Sequence, residues 1–258
     1  MSRLDDAYAA QIRAIRTRVE GFTQSQFAAG DYRNADLAGF VKAAVPVILA
    51  GRRQVSMLTD AYLSRLLTDT LGRPIAPVGG IDTDTLRGVD ATEVYERPYK
   101  TVWTELSNDK ALDAAVAAGV ARLSDLVLSD LQLAKTHTSQ AIFSRTEGVT
   151  GFRRVLTGRR SCALCYVAST QRYSKEGLLP IHPGCDCGTA PIVSGDRAKM
   201  DSQLEATHEA VQDRFGESDR SARKPDYRLI EVRDHGELGP LLTVRGQEFT
   251  GPSDLPRT

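Results

Sequence analysis

Apolar residues recur every three to four positions through most of the first 145 residues, and that rhythm then stops. Leu4, Tyr8, Ile12, Ile15, Val19 and Phe22 share one helical face, opposite Arg13, Arg16, Arg18 and Glu20. The spacing predicts an amphipathic first helix, with Ser2 as its cap and Asp5 three residues on. Such a stripe must bury itself against a neighbouring helix or against a partner protein. Residues 24–34 read as a break with Gly30-Asp31 as the turn, and residues 35–70 as a second helical stretch. Its apolar face is Leu37, Phe40, Val41, Val45, Ile48 and Leu49, continued by Val55, Leu58, Tyr62, Leu63 and Leu66. Pro46 predicts a kink or a restart there, and Gly51 a second weak point. Residues 72–80, rich in Gly and Pro, are a connector.

Helical periodicity resumes near Asp90, with Val94, Tyr95, Val102, Trp103 and Leu106 facing a core and Pro98 placed at a helix start or a kink. Asn108 or Asp109 is the expected cap of the next helix, the longest predicted, which keeps its period through Leu112, Val116, Val120, Leu123, Val127 and Leu131 to about Ile142. Its Ala-rich run at 114–121 predicts a close helix–helix approach. Residues 1–147 therefore read as an α-helical bundle. Residues 148–195 form a second segment with a different character. Residues 196–258 hold a helix pattern at 196–215, a charged linker at 216–226, then strand signals at Tyr227, Leu229, Ile230 and Val232 and at 241–244, separated by a Gly236…Gly239-Pro240 turn. The fold class expected is mainly α with a small α+β part: a helical bundle, a Cys-rich module resembling a zinc knuckle, and a short β-containing tail.

The middle segment carries the chemistry. All four cysteines lie there: Cys162 and Cys165 in a Cys-x-x-Cys, then Cys185 and Cys187, with His182 three residues before Cys185. Two close-set thiol groups joined by a loop are what a small metal-closed module needs. Cys185 and Cys187, two apart, converge on one ion more easily if Pro183-Gly184 bends the chain before them. The candidate metal ligands are Cys162, Cys165, His182, Cys185 and Cys187, as four cysteines or as three with the histidine. Either set fills a tetrahedron and leaves no position for water, which describes a structural zinc rather than a catalytic one. Two disulfides, a redox pair or plain buried thiols are the alternatives. A redox Cys-x-x-Cys needs a thioredoxin-like βαβ context that the sequence lacks.

Residues Phe152-Arg153-Arg154-Val155, Cys162-Ala-Leu-Cys165, Arg172-Tyr173, Leu179-Pro180-Ile181-His182-Pro183-Gly184-Cys185-Asp186-Cys187 and Ala190-Pro191 together resemble the signature of the phage Mu F-type minor head proteins, in the version carried by phages of actinobacteria. The resemblance is specific over about residues 150–192. It extends to the tail through residues 234–243 and Phe249-Thr250-Gly251-Pro252. It implies a minor capsid protein acting in head morphogenesis, made in the host cytoplasm and then held inside the virion head near the portal. The implied partners are the portal and other head proteins, with packaged DNA as a further contact. The residues themselves offer no membrane span and no catalytic set, so no membrane partner, no small-molecule substrate and no enzyme activity are expected. Members often carry Arg or Lys between the last two cysteines where this chain has Asp186, which removes a basic contact from the knuckle.

Composition narrows the choice further. Lys+Arg and Asp+Glu are both 33, so the formal net charge is zero, whereas a dedicated non-specific DNA binder carries a basic excess. The local basic patch is Arg153, Arg154, Arg159 and Arg160, read as a solvated loop, or as a contact to phosphate or to an acidic neighbour. A nucleic-acid-binding zinc knuckle is the alternative function, opposed by the charge balance and by the few nearby aromatics, Tyr166 and Tyr173. No stretch reads as a transmembrane helix, and Arg3, Asp5 and Asp6 stand where a signal peptide needs apolar residues. Phosphate-binding glycine loops, a nucleophile elbow and a zinc-protease motif are all missing. The histidines His137, His208 and His235 are expected to be structural or surface residues.

Overall fold

A computed structural model describes residues 3–157, 163–182, 184–194 and 230–245. Four long helices come first: α1 Arg3–Ala28, α2 Asn34–Leu71, α3 Ala91–Ser107 and α4 Leu112–Arg145. A short helix and five strands follow: β1 Val149–Val155, α5 Ala163–Ser169, β2 Arg172–Tyr173, β3 Gly188–Val193, β4 Ile230–His235 and β5 Gly239–Val244. The chain is mainly α with a small β part, as its periodicity predicts. It divides into two compact units. The first takes the chain up to Leu58 together with Asp82–Lys135, and the second takes Thr59–Ile81 and the chain from Thr136 on. Helices α2 and α4 each contribute residues to both units. Leu63 and Leu67 of α2 and Ile142 and Phe143 of α4 share a core with Val149, Phe152 and Leu179.

In the first unit α1 buries Tyr8, Ala9, Ile12, Ile15, Val19, Thr23 and Phe27. The predicted stripe therefore faces the unit's own core, shifted at its end so that Phe27 is buried and Phe22 exposed. The helix runs on through the expected break to Ala28. Pro46 and Gly51 do not interrupt α2, which is the longest helix among the described residues at 38 residues. Gly51 has a packing reason instead: a Cβ there would lie 2.8 Å from Val19 Cγ2 and 3.2 Å from Leu131 Cδ2. In the Ala-rich stretch of α4 a Cβ on Gly119 would lie 2.5 Å from Val102 Cγ2 and 3.0 Å from the Pro98 carbonyl, so α4 approaches α3 as closely as that stretch predicts. Asn108 and Asp109 cap no following helix. Asn108 closes α3 by donating its N–H to the Thr104 and Glu105 carbonyls, and Asp109 takes a positive φ of 60°. Contrary to the sequence reading, α2 is long and apolar enough by length and composition to cross a membrane. Within the first unit that helix buries Ala44, Ile48 and Val55.

A polar node sits in this unit. Asp130 of α4 is fully buried and accepts from Arg52 of α2, from Arg87, and from the Tyr95 hydroxyl of α3 at 2.6 Å. Arg52 Nε lies 3.1 Å from the carboxylate, and its Nη1 donates to the Thr83 and Asp84 carbonyls at 3.2 and 3.3 Å. Burial opposes the Arg52 charge, yet the facing Asp130 outweighs it and holds the guanidinium protonated. Burial, reinforced by Asp130, keeps Tyr95 neutral, its hydroxyl held well above the ordinary range. The loop before α3 is thus tied to α2 and α4 by charge-assisted hydrogen bonds.

Asp125, half-buried on α4, has its carboxyl pushed up to about 6, chiefly by burial; Arg122 opposes the rise and Glu20 adds to it. A carboxyl raised in the native state binds more protons folded than unfolded. Stability therefore falls as pH rises from about 4 to about 6 and is flat above. Asp125→Asn is expected to raise stability at pH 8 by on the order of 1 kcal/mol, after discounting for solvent screening, and to leave it unchanged at pH 4. Urea midpoints of the two proteins at both pH values check this, and a gain of equal size at pH 4 contradicts it.

In the second unit β1 is the centre of a three-stranded antiparallel sheet of order β2-β1-β3. Phe152 on β1 stacks between Phe143 and Tyr173 at centroid distances of 5.7 and 5.4 Å. Gly151 lets β2 come close, since a Cβ there would lie 2.6 Å from the Tyr173 carbonyl oxygen. β4 and β5 form the expected hairpin, closed by Gly239 at a φ of 67°. Ile181 joins that hairpin by donating its N–H to the Pro240 carbonyl at 3.0 Å and accepting from Leu242 N–H at 2.8 Å. The predicted helix at 196–215, the linker at 216–226, and the signals at Ser2, Tyr227, Leu229 and 249–252 lie outside the described residues.

Candidate metal centre

Three segments of the second unit build the centre. α5 brings Cys165, the loop between β2 and β3 brings His182, Cys185 and Cys187, and β1 brings Arg154. The loop turns where the sequence predicts: Gly184 has a φ of 75°, and Cys185 N–H donates to the His182 carbonyl at 3.0 Å. This turn folds His182 and Cys185 to the same side, and Cys187 follows immediately before β3. Tyr173 holds α5 in place by donating its hydroxyl to the Ala168 carbonyl at 2.9 Å, and Thr157 fixes the loop by donating to the Asp186 carbonyl at 2.8 Å.

The sulfurs of Cys165, Cys185 and Cys187 all lie within 4.8 Å of one another. Cys165 and Cys185 are 3.9 Å apart. Two sulfurs on one tetrahedral zinc, each at about 2.3 Å from the ion, are separated by about 3.8 Å. His182 Nε2 lies 3.0 Å from Cys165 Sγ, on the same cluster. All four residues are buried, and none of the three described cysteines is in a disulfide. Three close buried cysteines with an adjacent imidazole can hold a metal ion.

Without an ion the thiols do not carry charge equally. Hydrogen bonds from Cys165 and Cys187, with positive charge from His182 and Arg154, hold the Cys185 thiol well below its usual range against the cost of burial. Cys187 is pushed up to about 12: its contact with Cys165 pulls it down, but the neighbouring Cys185 and burial outweigh that pull. Two thiolates side by side in a buried pocket do not both ionise without a cation between them. A bound divalent ion would supply that charge.

Arg154 is the residue that the sequence pattern misplaced. It is not part of a solvated loop. It is buried, with Nη1 at 3.3 Å from Cys185 Sγ and 3.5 Å from Cys165 Sγ, while Nη2 donates to the Pro180 carbonyl. Burial disfavours its charge, but Cys185, Cys165 and Cys187 more than offset that and hold it firmly protonated. The signal was the period of two along a strand, which puts Arg154 on the same buried face as Phe152. Arg153 is half-buried on the same strand, and Cys162, Arg159 and Arg160 lie outside the described residues. Of the other histidines, His137 is half-buried on α4, with burial lowering its pKa, and His235 is exposed on β4, where its Nδ1 accepts from Glu237 N–H. His208 lies outside the described residues.

No protein-family model, no curated protein and no solved structure matches this chain.

Proposed function

We propose that this chain is a phage minor head protein of the Mu F type, and that its cysteine centre is a structural zinc staple. The observation that carries this reading is the meeting of the two stretches that bear the resemblance. Within the described residues, the Cys/His segment and the tail hairpin are hydrogen-bonded through Ile181, Pro240 and Leu242, immediately beside His182. Among the described residues, Cys165, His182, Cys185 and Cys187 are the ligands favoured by position. Thiolates with one imidazole in a closed tetrahedron suit zinc better than harder divalent ions. A buried donor set leaves no room for substrate, so the proposed role is scaffolding: bound to the portal inside the head during assembly, retained in the virion, with packaged DNA as a secondary contact. The nucleic-acid knuckle is weakened by the withdrawal of Arg154 from the surface.

Co-expression with the portal protein of the same genome tests the role. Association with assembled portal rings through size-exclusion chromatography is the expected result. A chain that stays apart from the rings, while shifting a DNA probe in a salt-dependent way, overturns it in favour of the nucleic-acid reading.

A further inference from the structure

We propose that Arg154 is the counter-charge of the metal centre, a buried cation that balances its thiolates and shields them from chemical attack. This rests on the metal reading above. Three thiolates and a neutral imidazole around a divalent ion leave one net negative charge. A fourth thiolate in place of His182 would leave two. A buried net charge is costly unless it is paired. Among the described residues one buried guanidinium lies against the sulfurs, a single positive charge that matches a set of three cysteines with His182 and not a set of four cysteines.

The geometry suits the task. Arg154 sits in the central strand, paired with Thr189 of β3, so its backbone is fixed by the sheet. The planar fork lets Nη1 reach two sulfurs while Nη2 holds the Pro180 carbonyl, two residues before His182. A flexible ammonium has no such fixed spread of donors. N–H···S bonds draw electron density from ligand sulfurs, which lowers their nucleophilicity and steadies the ion they hold. Arg154 is in this sense a positioning residue of the centre. The competing explanation, that Arg154 only fills space and ties Pro180, makes no demand on charge.

Zinc-loaded full-length protein challenged with N-ethylmaleimide, with released zinc read by a chromogenic chelator, separates the two. Wild type is expected to carry one zinc and release it slowly. Arg154→Met, which keeps length without charge, is expected to release it about ten-fold faster or more, and Arg154→Lys to lie nearer wild type than that variant. Folded, zinc-loaded Arg154→Met releasing zinc at the wild-type rate overturns the proposal. If Arg154→Met does not accumulate as folded protein, Arg154→Lys decides. Recovery of folded protein with one zinc supports the charge role, and failure like that of Arg154→Met overturns it in favour of shape. Wild type without zinc fails earlier and separately, and takes the metal reading down with it.

Discussion

Cys185→Ser is expected to abolish metal binding and to open the chain between β1 and β3 to protease. Cys185 lies at the centre of the donor set, 3.9 Å from Cys165 and bonded to Cys187 and Arg154. Binding of a structural zinc in small peptides is worth about 10–16 kcal/mol, and a whole domain is stable by only about 5–15 kcal/mol. Losing even half of that coupling leaves the module's small sheet without adequate support. His182→Ala is expected to lose the ion as well, whereas Cys162→Ser keeps one per chain if His182 is the fourth ligand. Elemental analysis of the purified variants, with limited proteolysis mapped by mass spectrometry, reads both effects. A Cys185→Ser protein with wild-type metal content and wild-type cleavage contradicts the ligand assignment.

The second large effect belongs to the helical unit. Asp130→Ala strips the carboxylate from Arg52, Arg87 and Tyr95, all of which bury their polar atoms against it. Two guanidiniums then remain in a low-dielectric interior without the carboxylate they share. Breaking a buried pair on one side costs about 3–5 kcal/mol. The internal control is Arg65→Ala on the exposed Arg65–Asp69 pair of α2, whose partners are more than half exposed; its removal is expected to cost about 0.5 kcal/mol or less. Urea denaturation of the two variants measures the contrast, and equal costs contradict the picture of a buried node.

These two sites differ in how far the sequence discloses them. The cysteine cluster is legible because its residues are rare types at short spacing, and the glycine before Cys185 marks the turn that the chain takes there. Arg154 was not, because a lone strand of mixed polar and apolar residues among arginines looks the same whether it is central or exposed. Only the covering of that face by Cys165 of α5, Pro180 and Cys185 decides that its second arginine is enclosed. The Asp130 node was invisible for the same reason: Arg52, Arg87 and Asp130 are far apart in the chain, and no local pattern links them.

Helix periodicity located α1 to α4 because each buries a continuous stripe, but it misjudged their punctuation. Pro46 and Gly51 looked like breaks in α2, yet packing overrides local propensity there, and Gly51 is small so that Val19 and Leu131 fit against it. Asn108-Asp109 looked like a start signal and is a stop, since an asparagine and an aspartate that tolerate unusual backbone angles serve either purpose. The hairpin of β4 and β5 was readable from its alternation and its Gly-Pro turn. Its junction with Ile181 was not, because a single bridging residue leaves no periodic trace.

Native mass spectrometry of freshly purified full-length protein, paired with elemental analysis under non-reducing conditions, tests the central claim most directly. One zinc per chain, lost on acidification, is the predicted result. A metal-free chain whose mass is lighter by two hydrogens for each disulfide contradicts the staple and assigns the buried cysteines to covalent pairing instead.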